Sequence, residues 1–359
     1  MSRTWTRRAI RAGAALLLTA VAAGCSGGGE EERAAPEESP SASREAEESP
    51  SPSPSPSPSP TPVDPVSIQA LIDREHEGSD LRLGEVLART DAYTRYAITY
   101  RANGLTISGI MNVPEGEGPF PAVVLAHGYI DPDEYNTGQG LMREQDLLAR
   151  EGYIALHTDY RNHAGSDEDP DSEVHLRLGY TEDTIGAVLA LRSSGLPEVD
   201  GDRIGLLGRS MGGGVVYNTM VVAPGLVDAA VVFAPVSARP ADNLRQFGYS
   251  SPRLPDGSAP DPNTAAVEAE HGTPEENPEF WEGANPLHQV DRVTEPLLIH
   301  HGTADDVCPP AWSEEVATAF EEAGKDVRRL TYEGEGHTFF SQWPDSMQAT
   351  TDFFAENLR

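Results

Sequence analysis

Ile204-Gly205-Leu206-Leu207-Gly208-Arg209-Ser210-Met211-Gly212-Gly213 is the stretch on which the reading of this chain turns. Its first four residues are a short apolar run of the kind buried on both faces of a parallel sheet. Residues 211–222 then follow a helical pattern. A strand that passes into a helix across one serine forces that residue into a strained backbone conformation and lifts its hydroxyl above the sheet edge. Glycines two positions before and after it relieve the crowding. As a bare pattern Gly-x-Ser-x-Gly is weak, and its placement between strand and helix is what makes it specific.

Outward from this turn the chain keeps alternating. Residues 93–101 and 105–113 alternate like strands around Asn103-Gly104, which predicts an antiparallel hairpin. Strands are expected at 122–126, 153–157, 204–207, 229–234, 297–299 and 327–332, and helices at 139–150, 184–192, 211–222, 313–323 and 347–358. This alternation predicts an α/β fold, a mostly parallel sheet with helices on both faces. Residues 237–285 break the rhythm. They are rich in Pro, Asp, Glu and Gly, with Phe247, Tyr249, Phe280 and Trp281 scattered through them. A segment of this length reads as a lid-like insertion or as a solvated surface excursion.

Serine is a weak nucleophile at neutral pH and needs a base, which in turn needs a carboxylate to fix its tautomer. Asp305 follows the strand at 297–299, and His337, in Gly334-Glu335-Gly336-His337, follows the strand at 327–332. The chain order Ser210, Asp305, His337, each at the carboxyl end of its own strand, is the expected catalytic triad. Asp306 competes for the acidic role, but it begins the turn toward Pro309 and is placed to bond local backbone, which favours Asp305. His300 and His301 read as packed strand-end residues. For the oxyanion, the amides of Met211, first after the serine, and of Tyr129, after Ala126-His127-Gly128, are the expected donors.

Asp159-Tyr160-Arg161-Asn162-His163-Ala164-Gly165-Ser166, residues 199–213 and residues 285–305 together resemble the α/β-hydrolase superfamily, in particular the prolyl oligopeptidase family catalytic domain and dienelactone-hydrolase-like esterases. The resemblance covers most of residues 121–359. It implies that Ser210, Asp305 and His337 form the triad of a serine hydrolase without a cofactor. Peptide-cleaving relatives usually carry a β-propeller before the hydrolase domain, and several place a Tyr hydroxyl at the oxyanion where this chain has His127 or backbone alone. Only residues 63–120 precede the first parallel strand here. That favours a carboxylic ester as substrate, with a short peptide as the alternative. A non-catalytic binding lipoprotein is the remaining alternative.

The front of the chain is of another kind. Residues 1–25 read as an export signal, with Arg3, Arg7, Arg8 and Arg11 ahead of an apolar run too short to remain across a membrane. Ala22-Ala23-Gly24-Cys25 resembles a lipobox, which implies acylation of Cys25 and a lipid anchor in the cell membrane, facing the extracytoplasmic side. Ordinary cleavage beside an incidental Cys, and twin-arginine or general export, stay open. Residues 26–62, with their Ser-Pro repeat, read as a disordered Glu/Ser/Pro-rich spacer, leaving 63–359 as the catalytic domain.

Charge narrows the partners. The chain carries 26 Lys+Arg against 58 Asp+Glu, and Lys325 is its only lysine. Almost all of the negative charge lies beyond residue 62, which excludes a nucleic-acid binder, since phosphate contacts need a basic face. With Cys25 acylated, Cys308 is left without a disulfide partner. Residues 167–173 have carboxylates spaced like the start of a calcium loop, but Ser172 and Leu178 stand where Gly and Glu are required. No metal site is therefore expected.

Overall fold

The computed structural model describes residues 63–248 and 262–359. The expected leader and spacer, with Cys25, and residues 249–261 of the insertion, with Tyr249, lie outside the described residues. The strands are β1 (Gly78–Arg89), β2 (Tyr93–Ala102), β3 (Leu105–Pro114), β4 (Phe120–Ala126), β5 (Ile154–Thr158), β6 (Val199–Arg209), β7 (Ala229–Phe233), β8 (Leu297–Gly302) and β9 (Val327–Tyr332). Among the described residues they form one nine-stranded sheet in the order β1-β2-β3-β5-β4-β6-β7-β8-β9. The first three and the β3–β5 contact are antiparallel, and β5-β4-β6-β7-β8-β9 are parallel. This is the α/β-hydrolase fold anticipated from the sequence.

Burial explains the apolar runs. In β4, Ala122, Val124 and Ala126 face one cluster while Val123 and Leu125 face the other, and Leu206 and Leu207 of β6 divide in the same way. Helices α1 (Ile68–Asp73), α3 (Gly179–Ser193), α4 (Met211–Val222) and α8 (Pro310–Glu322) contribute Leu71, Ile185, Val216 and Phe320 to the cluster on the first face. Helices α2 (Met142–Arg150) and α9 (Trp343–Asn357) cover the second through Leu148, Met347 and Phe354. A strand buried on both sides has no polar alternate residue, so its sequence cannot alternate.

The β2–β3 hairpin turns at Asn103 (φ 43) and Gly104 (φ 88), the positive φ values that a two-residue reversal between twisted strands requires. Helix α2 begins later than its sequence pattern, at Met142, because Gly140 (φ 104) interrupts it. Two further differences concern whole elements. The edge strand β1 has no alternating signature: its register on β2 shifts three times, and most of its residues are exposed. Residues 237–285 are not a bare loop, because the described part contains α5 (Pro240–Phe247), α6 (Pro262–His271) and α7 (Pro278–Gly283). Each of these helices starts on a proline. Pro240, Pro262 and Pro278 stand in the first helical turn, where the missing N–H costs nothing. Leu244, Val267, Phe280 and Trp281 anchor the insertion in the larger core cluster.

Candidate active site

Ser210 caps α4 with φ 55 and ψ −120, a conformation unfavourable for any residue with a side chain. It is held from both sides: its N–H donates to Phe233 O at 3.0 Å, and its own carbonyl accepts from Val236 N–H at 3.1 Å. The glycines around it are required by space. A Cβ on Gly208 would collide with the Gly212 carbonyl, and one on Gly212 with the Ala126 carbonyl. Helix α4 thus packs directly on β6 and on the end of β4.

Asp305 and His337 meet as expected, with His337 Nδ1 2.9 Å from Asp305 Oδ2. Asp305 Oδ1 accepts from the N–H groups of Val307 and Cys308, each at 2.9 Å. Local backbone bonding, the role expected of Asp306, therefore falls to Asp305 itself, while Asp306 is exposed and lines the cavity. Burial would raise the Asp305 pKa, but the hydrogen bonds from His301, His337 and the Cys308 amide outweigh it and hold the carboxyl well below the usual range. A carboxylate that stays ionised only accepts, so His337 Nδ1 donates to it, which selects the Nδ1–H tautomer of the neutral ring.

Two further residues adjoin the triad. His301 is packed at the end of β8, as expected, but its Nε2 also lies 3.2 Å from Asp305 Oδ2 and 2.9 Å from Cys308 O. Both are acceptors, so Nε2 carries the proton and Asp305 is gripped by two imidazoles. Cys308 Sγ lies 4.0 Å from Ser210 Oγ, and burial pushes its thiol up to about 12, which keeps it uncharged. The one hint for His301 is its place four residues before Asp305 at a strand end. For Cys308 there is none.

The oxyanion residues sit where the elbow meets β4. A Cβ on Gly128 would lie 3.2 Å from Ser210 Cβ, so the chain entering Tyr129 passes directly beside the serine. Tyr129 and Met211 both line the cavity that Ser210 opens into, and Met211 supplies the first amide of α4. The His127 side chain points elsewhere. It is fully buried, stacks on Tyr135 at 4.7 Å, and burial together with His157 and His163 lowers its pKa to about 3. Backbone alone is left on that side.

A buried ionic group ties the serine turn to the histidine loop. Arg209, adjacent to Ser210, pairs with Glu144 of α2, which also accepts from Trp343 Nε1 at 2.8 Å. Arg143 donates to Thr338 O at 2.9 Å and to Phe339 O at 3.2 Å, and Arg209 to Thr338 O at 3.4 Å. Both guanidinium groups therefore hold the carbonyls that follow His337. Glu335 completes the loop by accepting from the N–H groups of Phe340 at 2.7 Å and Gln342 at 2.6 Å.

Ser210 and His337 open into one cavity of about 600 Å³. In the acidic stretch at 167–173, Asp169 pairs with Arg161 at 3.0 Å and Glu173 with Arg177 at 2.6 Å, so these carboxylates have protein partners. Among the described residues no group of three or more His, Cys, Asp or Glu could hold a metal ion.

A strained serine at a strand-to-helix turn beside an Asp-bound histidine, on this sheet, is the arrangement of a serine hydrolase. The chain belongs to the prolyl oligopeptidase family, whose profile matches residues 139–359. The uncharacterized peptidase YuxL of Bacillus subtilis (strain 168) is 25% identical over 242 residues, covering 66% of this chain and 34% of that protein. The chain thus spans about a third of that relative's length. Among solved structures, an acetyl xylan esterase from Paenibacillus sp. R4 superposes with a TM-score of 0.60 at 19% identity, over 81% of this chain and 92% of the esterase. An acylaminoacyl peptidase from Pyrococcus horikoshii gives 0.57 at 20% identity, over 75% of this chain and 42% of the peptidase.

Proposed function

We propose that Ser210, His337 and Asp305 are the catalytic triad and that the substrate is a carboxylic ester. The observation that carries this is the 2.9 Å contact between His337 Nδ1 and Asp305 Oδ2 beside a positive-φ Ser210 on the same cavity. As Ser210 Oγ bonds to the carbonyl carbon, its proton passes to His337 Nε2, and Asp305 stabilises the imidazolium. The amides of Tyr129 and Met211 donate to the oxyanion. Collapse expels the alcohol, which takes the proton from His337. Water then repeats the sequence on the acyl-enzyme, releasing the acid and restoring Ser210.

The ester reading is supported by the structural match that spans 92% of an esterase chain and 81% of this one. Cleavage of short peptides is the second reading, supported by family membership. The front of the chain adds an address: residues 1–25 act as an export signal, Cys25 carries a lipid anchor, and residues 26–62 hold residues 63–359 off the membrane. One experiment addresses both parts. A fluorophosphonate probe is expected to label the protein in the membrane fraction, to miss Ser210→Ala, and to label Cys25→Ala in the medium. Equal labelling of wild type and Ser210→Ala would overturn the triad. Retention of Cys25→Ala on the membrane would overturn the anchor. Ester turnover by Ser210→Ala is expected to fall by a factor on the order of 10⁶.

A further inference from the structure

The cavity is longer than an ester carbonyl needs, and α4 gives the direction of the excess. Met211, Gly214, Val215 and Asn218 all line it. Their spacing of three, four and seven residues places them on one face of the helix. From Ser210 to Asn218 the helix rises about 12 Å at 1.5 Å per residue. A volume of about 600 Å³ is that of a site for a whole small ligand, many times what an acetyl group fills.

The two sides of the cavity differ in access. Of the lining residues, Leu176, Leu178 and Tyr180 are 8%, 6% and 1% exposed, whereas Val307, in the loop just after Asp305, is 39% exposed. The leaving group takes its proton from His337 and departs on the open side. The group that stays bonded to Ser210 must lie in the closed arm. Its chemistry follows from the lining, which is mostly apolar. Arg177 is the only Lys or Arg on the wall among the described residues, and it is engaged: its Nε lies 2.8 Å from Glu173 Oε1, and its guanidinium lies over the Tyr129 ring at 4.7 Å. A neutral group suits such an arm, and a carboxylated one would bury a charge without a dedicated counter-ion. Gly214 keeps the helix face bare at this point of the wall. A Cβ there would meet Val236 Cγ2, also on the wall, at 2.9 Å.

We propose that this arm is the acyl site and that the substrates are esters of elongated, neutral acyl groups, with Gly214 and Asn218 setting the length that fits. An extended chain advances about 3.5 Å per three backbone atoms, so an arm of about 12 Å holds about ten non-hydrogen atoms. The proposal rests on the assignment of Ser210 above and deepens it.

The test compares p-nitrophenyl acetate, butyrate and octanoate, each below its aggregation limit, with the purified protein. Wild type is expected to show kcat/KM for octanoate at least tenfold above acetate, a small part of what burying six methylenes can supply. Gly214→Val is expected to lower the octanoate-to-acetate ratio at least tenfold. Asn218→Trp, at the far end, is expected to lower it by a similar factor while the butyrate-to-acetate ratio stays within about twofold, because butyrate does not reach that position. An acetate preference in wild type would overturn the proposal, as would an unchanged ratio in either variant that still takes the fluorophosphonate label. Failure of wild type to take the label would overturn the assignment of Ser210 instead.

Discussion

Asp305 is held by four donors: two imidazoles, from His337 and His301, and two amides, from Val307 and Cys308. The carboxylate therefore has no rotational freedom, and His337 is presented in one tautomer. Replacing Asp305 by Asn would keep the shape but let the amide donate to Nδ1 and leave Nε2 protonated. Turnover of esters is expected to fall about 10⁴-fold with KM nearly unchanged. A loss under tenfold would mean that another carboxylate orients the base. Ser210, Asp305 and His337 were legible because each stands at a strand end in chain order. Local backbone bonding does not separate Asp305 from Asp306 in the way the sequence suggests, since Asp305 itself makes those bonds. His301 and Cys308 were not legible as neighbours of the site, because their relation to it runs through space across the loop after β8.

At the level of elements, α2 and α9 are joined to the serine turn by Glu144, which is fully buried. Removing its charge leaves Arg209 and Arg143 free to repel each other beside Thr338, and the histidine loop is then no longer fixed against Ser210. For Glu144→Gln we expect kcat to fall on the order of 10²-fold, the effect of a misplacement of about 1 Å, with KM for short esters little changed. Full activity in a protein that melts at a lower temperature would assign Glu144 to stability only. The parallel strands and their helices were readable because two-sided burial leaves unbroken apolar runs. The strand β1 was not, because bulges and exposure on both faces remove its alternation. Helices α5, α6 and α7 were hidden because a proline that starts a helix looks the same in sequence as one that ends it.

For the whole molecule, acid is the informative variable. His127, His157 and His300 are fully buried, and burial is the first cause of their lowered pKa values, about 3, about 4 and about 3. Unfolded, each would titrate near pH 6.5. The unfolded state therefore binds more protons below pH 6.5, and stability falls with pH until the folded values are reached. Three such groups cost about 4 kcal/mol per pH unit, against a total stability of about 5–15 kcal/mol. Asp305, with a lowered folded pKa, contributes stability that is lost only below about pH 4. Acidification also relieves repulsion among the many surface carboxylates, but these stay mostly ionised down to about pH 5, so the histidines should dominate above that. The urea midpoint is expected to drop steeply between pH 6.5 and 5, and a midpoint that is flat or rises would contradict this.

The contact of Gly212 with the Ala126 carbonyl reaches beyond stability. It sets the spacing between the strand that carries the nucleophile and the strand that leads to Tyr129, so a mutation there moves both at once. Descendants of this gene exploring new substrates cannot adjust the two separately at that point. Heritable variation in specificity is channelled instead to the helical insertion and to Gly214, Val215 and Asn218 on the cavity-lining face of α4, where a substitution changes what enters without disturbing what reacts.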